Sequence, residues 1–299
     1  PLPRPSPDGY IYTTVTDRYA PLGQTLIAGT ASEAVHALNA LLEHTSAAEI
    51  RALHTDGGGV SDMVFAVTHL LGLDFEPRIP WLSDRRLYAF EAPARYGALA
   101  PLFGQRLNRE LIATSWDEIG RVVEAIRNRT VTPSLILKKL SGYRQQNGLA
   151  AALREIGRME RTLFTLRWFE SPALRKLITA ELNKGEALNT LRRAVALHRL
   201  GRFRDRGHEN QSSRAATLNL VVAAIVLFNC RYLSRVLDAL RSGGGSIDPA
   251  HVAHLSPLGW DHINLTGDYV WSDSVERDPD GFSPLRLNAE PAYRESVPQ

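Results

Sequence analysis

With 299 residues, 44% of them hydrophobic, the chain can bury one large core or two smaller ones. Its single cysteine, Cys230, lies in an apolar run, which excludes a disulfide framework and a thiolate metal cluster and fits a reducing interior. The net charge of +3 hides an asymmetry: residues 1–118 carry 9 basic and 14 acidic side chains, 119–214 carry 20 and 8, and 215–299 carry 6 and 10.

Positive charge gathered in the middle third is what a phosphate-backbone partner requires. Of the 35 basic residues 31 are Arg; codon bias accounts for arginine over lysine but not for the clustering. The sequence starts at Pro1 with four prolines in its first ten residues, so a piece of a longer chain is expected. No signal-peptide pattern opens it. The longest apolar run, 218–228, falls short of the roughly 20 residues that span a bilayer. It reads as a buried helix, and no membrane partner is expected.

In chain order, residues 10–15 (YIYTTV) are aromatic and β-branched and predict a strand, and 25–29 (TLIAG) predict a second after a Pro-Leu-Gly turn. Residues 31–44 form an amphipathic helical pattern burying Ala34, Leu38, Leu41 and Leu42, with Thr30 or Ser32 able to cap it. A third strand is predicted over 49–55, with Asp56 at its C-terminal end and Gly57, Gly58 and Gly59 following. A helix over 61–71 with Ser61 as N-cap and a short strand over 75–79 complete the segment. Open α/β sheets place their chemistry at strand termini. Three glycines let the chain turn sharply and leave space beside the acid, though ordinary turns use the same residues. Asp62 is a rival acid with a structural explanation, since a carboxylate is favoured in a first helical turn.

From 84 to 182 the pattern is all-helical: 116–129, 133–140, 148–169 and 172–182 show 3–4 residue periodicity broken by Pro and Gly. The 148–169 helix is expected to bury Leu149, Leu153, Ile156, Met159, Leu163 and Leu166, with Arg154, Arg158, Arg161 and Arg167 mostly on solvated faces and a few on a nucleic acid. Further on, 213–241 reads as a long apolar helix and 242–246 as a flexible Ser-Gly-Gly-Gly-Ser joint. Residues 251–271 form an aromatic-rich closing segment. There His251, His254 and His262 lack a carboxylate or cysteine at matching spacing and read as packing or surface histidines. The tail from Ser272 reads as poorly ordered.

The stretch 183–211 combines one acid, Glu186, with a dense arginine run. Leu188, Leu191, Ala194 and Val195 share one helical face; Glu186, Asn189, Thr190 and Arg193 share the opposite one. Glu186 is open to two readings: a helix-start acid held by backbone N–H groups, or a metal-binding carboxylate with arginines beside it for phosphates.

Five stretches together resemble the C-terminal part of Tn3-family transposases: HTDGGGVSDMVFAVTHLLGLDFEPRI, GLAAALREIGRMERTLFTLRW, LNKGEALNTLRRAVALHRLG, ENQSSRAATLNLVVAAIVLFN and HLSPLGWDHINLTGDYVW. They occur in the family's order with similar gaps, from Tyr12 to Trp271. The resemblance implies an α/β fold, an RNase H-like mixed sheet with a large all-α insertion before the last catalytic helix. The expected divisions are 1–81 for the first part of the core, 82–182 for the insertion, 183–241 for core-completing helices and 242–299 for a C-terminal segment with a disordered tail.

It also implies a site of two aspartates and a glutamate that binds two Mg2+ ions, with Mn2+ as a substitute. By position the second aspartate falls on Asp56 and the glutamate on Glu186, with Glu209 the competing assignment. The family's first aspartate lies on a strand upstream of Tyr10; neither Asp8 nor Asp17 fits, so two of the three ligands are expected here. The implied activity is cleavage at transposon ends to free 3′-OH groups, then their transfer to target DNA. Lys184, Arg192, Arg193, Arg199, Arg202, Arg204 and Arg206 are the candidate DNA contacts. The further expectations are a homodimer in the full-length protein and a bacterial cytoplasmic location, at the nucleoid when bound to DNA. The alternative is a non-catalytic remnant that binds DNA or other protomers.

A sheet lacking its first strand exposes an unpaired edge, a route to association. The isolated chain is therefore expected to aggregate and be poorly soluble; a single monomeric boundary with one cooperative melt contradicts that expectation.

Overall fold

The computed structural model describes residues 9–28, 33–43, 49–57, 60–79, 84–142, 148–196, 208–265, 267, 277 and 281. The architecture is mixed α/β, mostly helical with small sheets, in two units: Pro1–Glu186 with Asp205–Ala216, and Ala187–Arg204 with Thr217–Gln299.

The first unit opens with a hairpin. Strand β1 (Gly9–Val15) pairs antiparallel with β2 (Pro21–Ala28), from Gly9 opposite Ala28 to Val15 opposite Pro21. The second strand starts four residues earlier than the TLIAG pattern predicts, because Pro21 needs no donor at the first position of a two-stranded ribbon. The turn is closed by Thr16, whose N–H donates to Ala20 O (2.9 Å) and whose Oγ1 accepts from Ala20 N (3.1 Å). Helix α1 (Glu33–Glu43) lies on the hairpin and buries Ala37 and Leu38 completely. Its expected caps, Thr30 and Ser32, fall outside the described residues.

Strand β3 (Ala52–Leu53) pairs parallel with β4 (Asp74–Phe75). Hydrogen bonds extend this ladder: Asp74 N to Arg51 O, Glu76 N to Leu53 O and Arg78 N to Thr55 O, each 2.9 Å. Pairing thus runs to Thr55, the residue before Asp56. Between the strands, helix α2 (Asp62–Leu70) begins at Ser61, whose Oγ accepts from Val64 N (3.3 Å). This is the N-cap expected from its position, which satisfies an otherwise orphaned helix donor. Met63 through Thr68 are all buried.

The helical block follows: a 3₁₀ stretch at Pro93–Leu102, then α3 (Arg109–Thr114), α4 (Trp116–Arg127), α5 (Pro133–Gly142), α6 (Gly148–Glu170) and α7 (Pro172–Val195). Two sequence expectations are corrected. Helix α6 buries Leu149, Leu153 and Ile156 as predicted, but Leu163 and Leu166 are exposed and Phe164 and Thr165 take their place inward. The aromatic contacts Phe65–Phe164 (5.9 Å between centroids) and Phe65–Phe75 (4.8 Å) draw that face in. Helix α7 runs unbroken through Lys184 and Gly185, so Glu186 stands inside a helix and not at its start. Glycine in a helix costs only about 1 kcal/mol, and the Lys184–Glu181 pair (2.6 Å, three residues apart) supports the turn just before it.

Helix α6 is the hub of the first unit. A Cβ on Gly157 would stand 1.6 Å from Asp62 O, so the two backbones touch. Asp62 meets Arg161 at 2.5 Å and Arg158 at 3.6 Å. Glu155, buried, takes Arg158 at 2.6 Å and accepts from Asn108 N at 2.8 Å. Glu160 pairs with His69 (3.2 Å), and Arg167 with the buried Glu76 (3.0 Å). The arginines expected on solvated or DNA-facing surfaces are in these cases internal ties. Burial pushes the Asp62 carboxyl above its ordinary value of 3.8, with Arg161, Arg158 and Arg85 pulling the other way and Glu155 adding to the rise.

In the second unit, helix α8 (His208–Ser242) contributes its residues from Thr217 onward. It buries Val222, Ile225 and Val226, yet Leu220 is 72% exposed and Leu227 58%, so the 218–228 run is not the buried helix predicted. Residues 209–242 are long and apolar enough to cross a membrane by length and composition, a longer helix than the apolar run alone marks. The glycine joint caps α8: Gly243 N donates to Ala239 O (3.0 Å) and Gly245 N to Leu240 O (2.9 Å), with Gly244 at φ 81°. That positive φ is the reason for glycine there. Short helix α9 (Pro249–Val252), capped by Asp248, leads to the closing segment. Asn229, buried, donates to Pro257 O and Gly259 O (both 2.7 Å), so its Oδ1 must accept from His262 Nε2 (2.8 Å). His251, His254 and His262 are all exposed, and His262 is tied to the buried Asn229. The tail from Ser272, but for Arg277 and Gly281, lies outside the described residues.

Two predictions follow from this packing. Asn229→Ala strands two carbonyls and a ring N–H and is expected to destabilise by about 1–3 kcal/mol in a urea titration, with the His262 Nε2–H resonance lost; an unchanged midpoint contradicts the assignment. Asp62 keeps its proton to higher pH folded than unfolded, so its contribution is full below 3.8 and is lost as pH rises through the raised value. Asp62→Asn is expected to flatten that part of a midpoint-against-pH curve; an unaltered slope contradicts it.

Candidate active site

Asp56 is placed by the ladder that ends beside it. With Thr55 O bonded to Arg78 N, the chain leaves the sheet at Asp56, and Gly57 N donates back to Asp56 Oδ1 (2.8 Å). The carboxylate is exposed, and no cation among the described residues pairs with it. It is therefore oriented by its neighbour and open to a ligand. Gly58 and Gly59 lie outside the described residues.

Glu186 belongs to the same unit and is also exposed. Its neighbour Lys184 ties α7 to the β1–β2 turn: Nζ donates to Asp17 O (2.9 Å) and sits 5.6 Å from the Tyr19 ring centroid. Together with its Glu181 pair, this gives Lys184 an internal role where the sequence reading made it a DNA contact. Glu209, the competing acid, is exposed in the first turn of α8, where a backbone explanation suffices.

The arginine run divides. Arg192 is buried, 7% exposed, and burial lowers its pKa. It cannot present its guanidinium to a phosphate backbone, which corrects the expectation for that residue. Its place on the Leu188–Leu191 side explains this, since both leucines are fully buried. Arg193 is exposed, with Nη2 bonded to Thr190 Oγ1 (3.3 Å). Arg199, Arg202, Arg204 and Arg206 lie outside the described residues.

Sequence reasoning missed a polar cluster beside Asp56. Glu76, just past β4, is buried between Arg167 (3.0 Å) and His54 Nδ1 (3.7 Å), and His54 lies two residues before Asp56. No local signal marked it, because Glu76 is one of three charged residues in the DFEPRI stretch, and only its burial sets it apart.

Asp56 and Glu186 supply hard, exposed carboxylate oxygens, the donor type a magnesium-like ion takes. Among the described residues, no group of three or more His, Cys, Asp or Glu side chains is gathered as a metal cage. The donor chemistry of each acid fits a divalent ion.

Comparison with known proteins assigns the family. The profile of the Tn3 transposase DDE domain matches residues 6–269. The chain is 48% identical over 281 residues to the transposase of transposon Tn21 from Escherichia coli, covering 94% of this chain and 28% of that protein. It is 47% identical over 285 residues to the transposase of Tn501 from Pseudomonas aeruginosa (95% and 29%) and 37% identical over 279 to that of Tn1546 from Enterococcus faecium (93% and 28%). The chain thus spans less than a third of the length of these curated relatives. Sequence profile and relatives agree: the chain belongs to the Tn3 transposase DDE domain family.

Proposed function

We propose that this chain is the catalytic region of a DNA transposase, which cleaves transposon ends to free 3′-OH groups and joins them to target DNA. The observation that carries the reading is Asp56, an exposed carboxylate at the end of a parallel ladder with no cation paired to it among the described residues, in a chain that matches the DDE domain over residues 6–269.

Asp56 and Glu186 would hold the divalent metal, Mg2+ with two ions in the reading adopted here and Mn2+ as the substitute. When bound, such ions activate the attacking oxygen and neutralise charge at the phosphate. The chain's own part is to hold its carboxylates in place. The Gly57 N–H fixes one oxygen of Asp56, leaving the other directed by the same torsion. Helix α7 carries Glu186 on its exposed face, anchored near that point by Lys184. The family's remaining aspartate would come from a strand ahead of Gly9. Such a strand, seated between β1 and β3, would join two separate two-stranded sheets into one RNase H-like mixed sheet.

Arg193, Arg199, Arg202, Arg204 and Arg206 would contact the DNA backbone, giving affinity and salt dependence more than base selection. No membrane partner is part of this reading, and the full-length protein is read as a cytoplasmic, nucleoid-bound homodimer. The second reading is a non-catalytic remnant that binds DNA or other protomers.

The test is strand nicking by the intact protein on a transposon-end duplex with Mg2+. Asp56→Asn and Glu186→Gln are each expected to lower the rate at least 100-fold with DNA binding kept, while Glu209→Gln stays within a few fold. Nicking that survives Asp56→Asn sinks the catalytic reading; loss with Glu209→Gln and not Glu186→Gln moves the third ligand. Replacing Arg193 with Ala is expected to weaken DNA binding evenly across sequences and reduce the salt slope by about one.

A further inference from the structure

We propose that α6 is the positioning element for Asp56, with Gly157 as its seat and Arg158, Arg161 and Arg167 as its ties, an inference that rests on reading Asp56 as a metal ligand. Asp56 directly follows one element and Ser61 opens the next, and both elements are fixed to this one helix.

The upstream support is the β3–β4 ladder. Arg167 holds the buried carboxylate of Glu76, immediately after β4, and Glu76 N is itself a rung of the ladder through Leu53 O. His54 stands 3.7 Å from the other oxygen of Glu76, on the strand that ends at Asp56. The downstream support is the start of α2. Ser61 caps it, Arg158 and Arg161 hold the Asp62 side chain, and Gly157 lies against the Asp62 main chain. Gly157 and Arg167 are about 15 Å apart along the helix at 1.5 Å per residue. A tilt or lift of α6 therefore moves both ends of the turn that carries Asp56.

Glycine at 157 is required by contact and not by backbone conformation. An added Cβ would lie 1.6 Å from Asp62 O and 2.3 Å from its carbonyl carbon, both main-chain atoms that no rotamer change can withdraw. Relief needs a separation of roughly 1.5–2 Å to reach ordinary contact. Catalytic constellations tolerate about 0.5 Å. The α2-facing side of α6 is thus set for Asp56 as well as for the core, and the helical block supports the site through it.

The experiment measures Mn2+ binding by the intact protein, from the electron paramagnetic resonance signal of the free ion, alongside thermal melts in chelator. Gly157→Ala is expected to weaken Mn2+ binding about tenfold or more, the scale for groups that orient a ligand. A backbone clash can unfold a helix pair, so Arg161→Met and Arg167→Met form a second set, assayed well below their melting temperatures because each leaves Asp62 or Glu76 without its cation. Each is expected to melt lower than the parent yet stay folded at the assay temperature and to weaken Mn2+ severalfold, and Arg161→Lys to recover part of the loss. Asp56→Ala separates the two claims. If it binds Mn2+ like the parent, the reading of Asp56 fails and this inference with it. If Asp56→Ala is impaired while the folded α6 variants bind like the parent, the positioning role alone is overturned.

Discussion

The first unit depends on a contact that contains no side chain, the approach of Gly157 to the main chain of Asp62. Helices usually stand 8–10 Å apart, held off by their side chains. Removing the Cβ at one position lets α6 seat against the first residue of α2 itself. Everything that fills the gap is then short-range: the Phe65, Phe75 and Phe164 rings, and the carboxylate–guanidinium pairs on either side. Such pairs are partly buried, and each is defensible only because its partner is in place, since an orphaned buried charge costs several kcal/mol. The packing and the ion pairs therefore stand or fall together.

This use of charge changes how the basic middle third is understood. Arg158, Arg161 and Arg167 neutralise acids of the α2–β4 segment, Lys184 ties α7 to the hairpin turn, and Arg192 is buried. Part of the excess positive charge is thus structural, matched to the acidic first third. What remains for a phosphate backbone is a narrower set, with Arg193 its described member. A basic segment in a sequence marks an electrostatic partner, but the partner can be another part of the same chain.

Much of the fold could be read from local pattern. The β-branched YIYTTV run, the Ser61 cap and the acid at the end of a strand are decided within a few residues, and the structure bears out each as an element. The failures share a cause, which is tertiary context. Nothing local distinguishes Leu163 from Phe164 as the inward residue; the rings on α2 and β4 decide it. The periodicity places one helix end at 182 and a possible start at Glu186, whereas α7 runs through both. The SGGGS run looks like a loose linker, whereas its N–H groups close the end of α8. Glu76 and Gly157 carry the least local signal and the most structural consequence, because their roles are defined only by what lies opposite them.

The central claim is that Asp56 and Glu186 face a common metal, with α6 holding the first of them in place. The most direct measurement replaces Mg2+ by Fe2+ in the intact protein and adds ascorbate and peroxide, so that radicals cut the backbone beside the bound ion. The account predicts two fragment boundaries, one at the Asp56 turn and one near Glu186, both suppressed by excess Mg2+. Cuts at Glu209 without cuts at Glu186, or cuts at neither Asp56 nor Glu186, would contradict it.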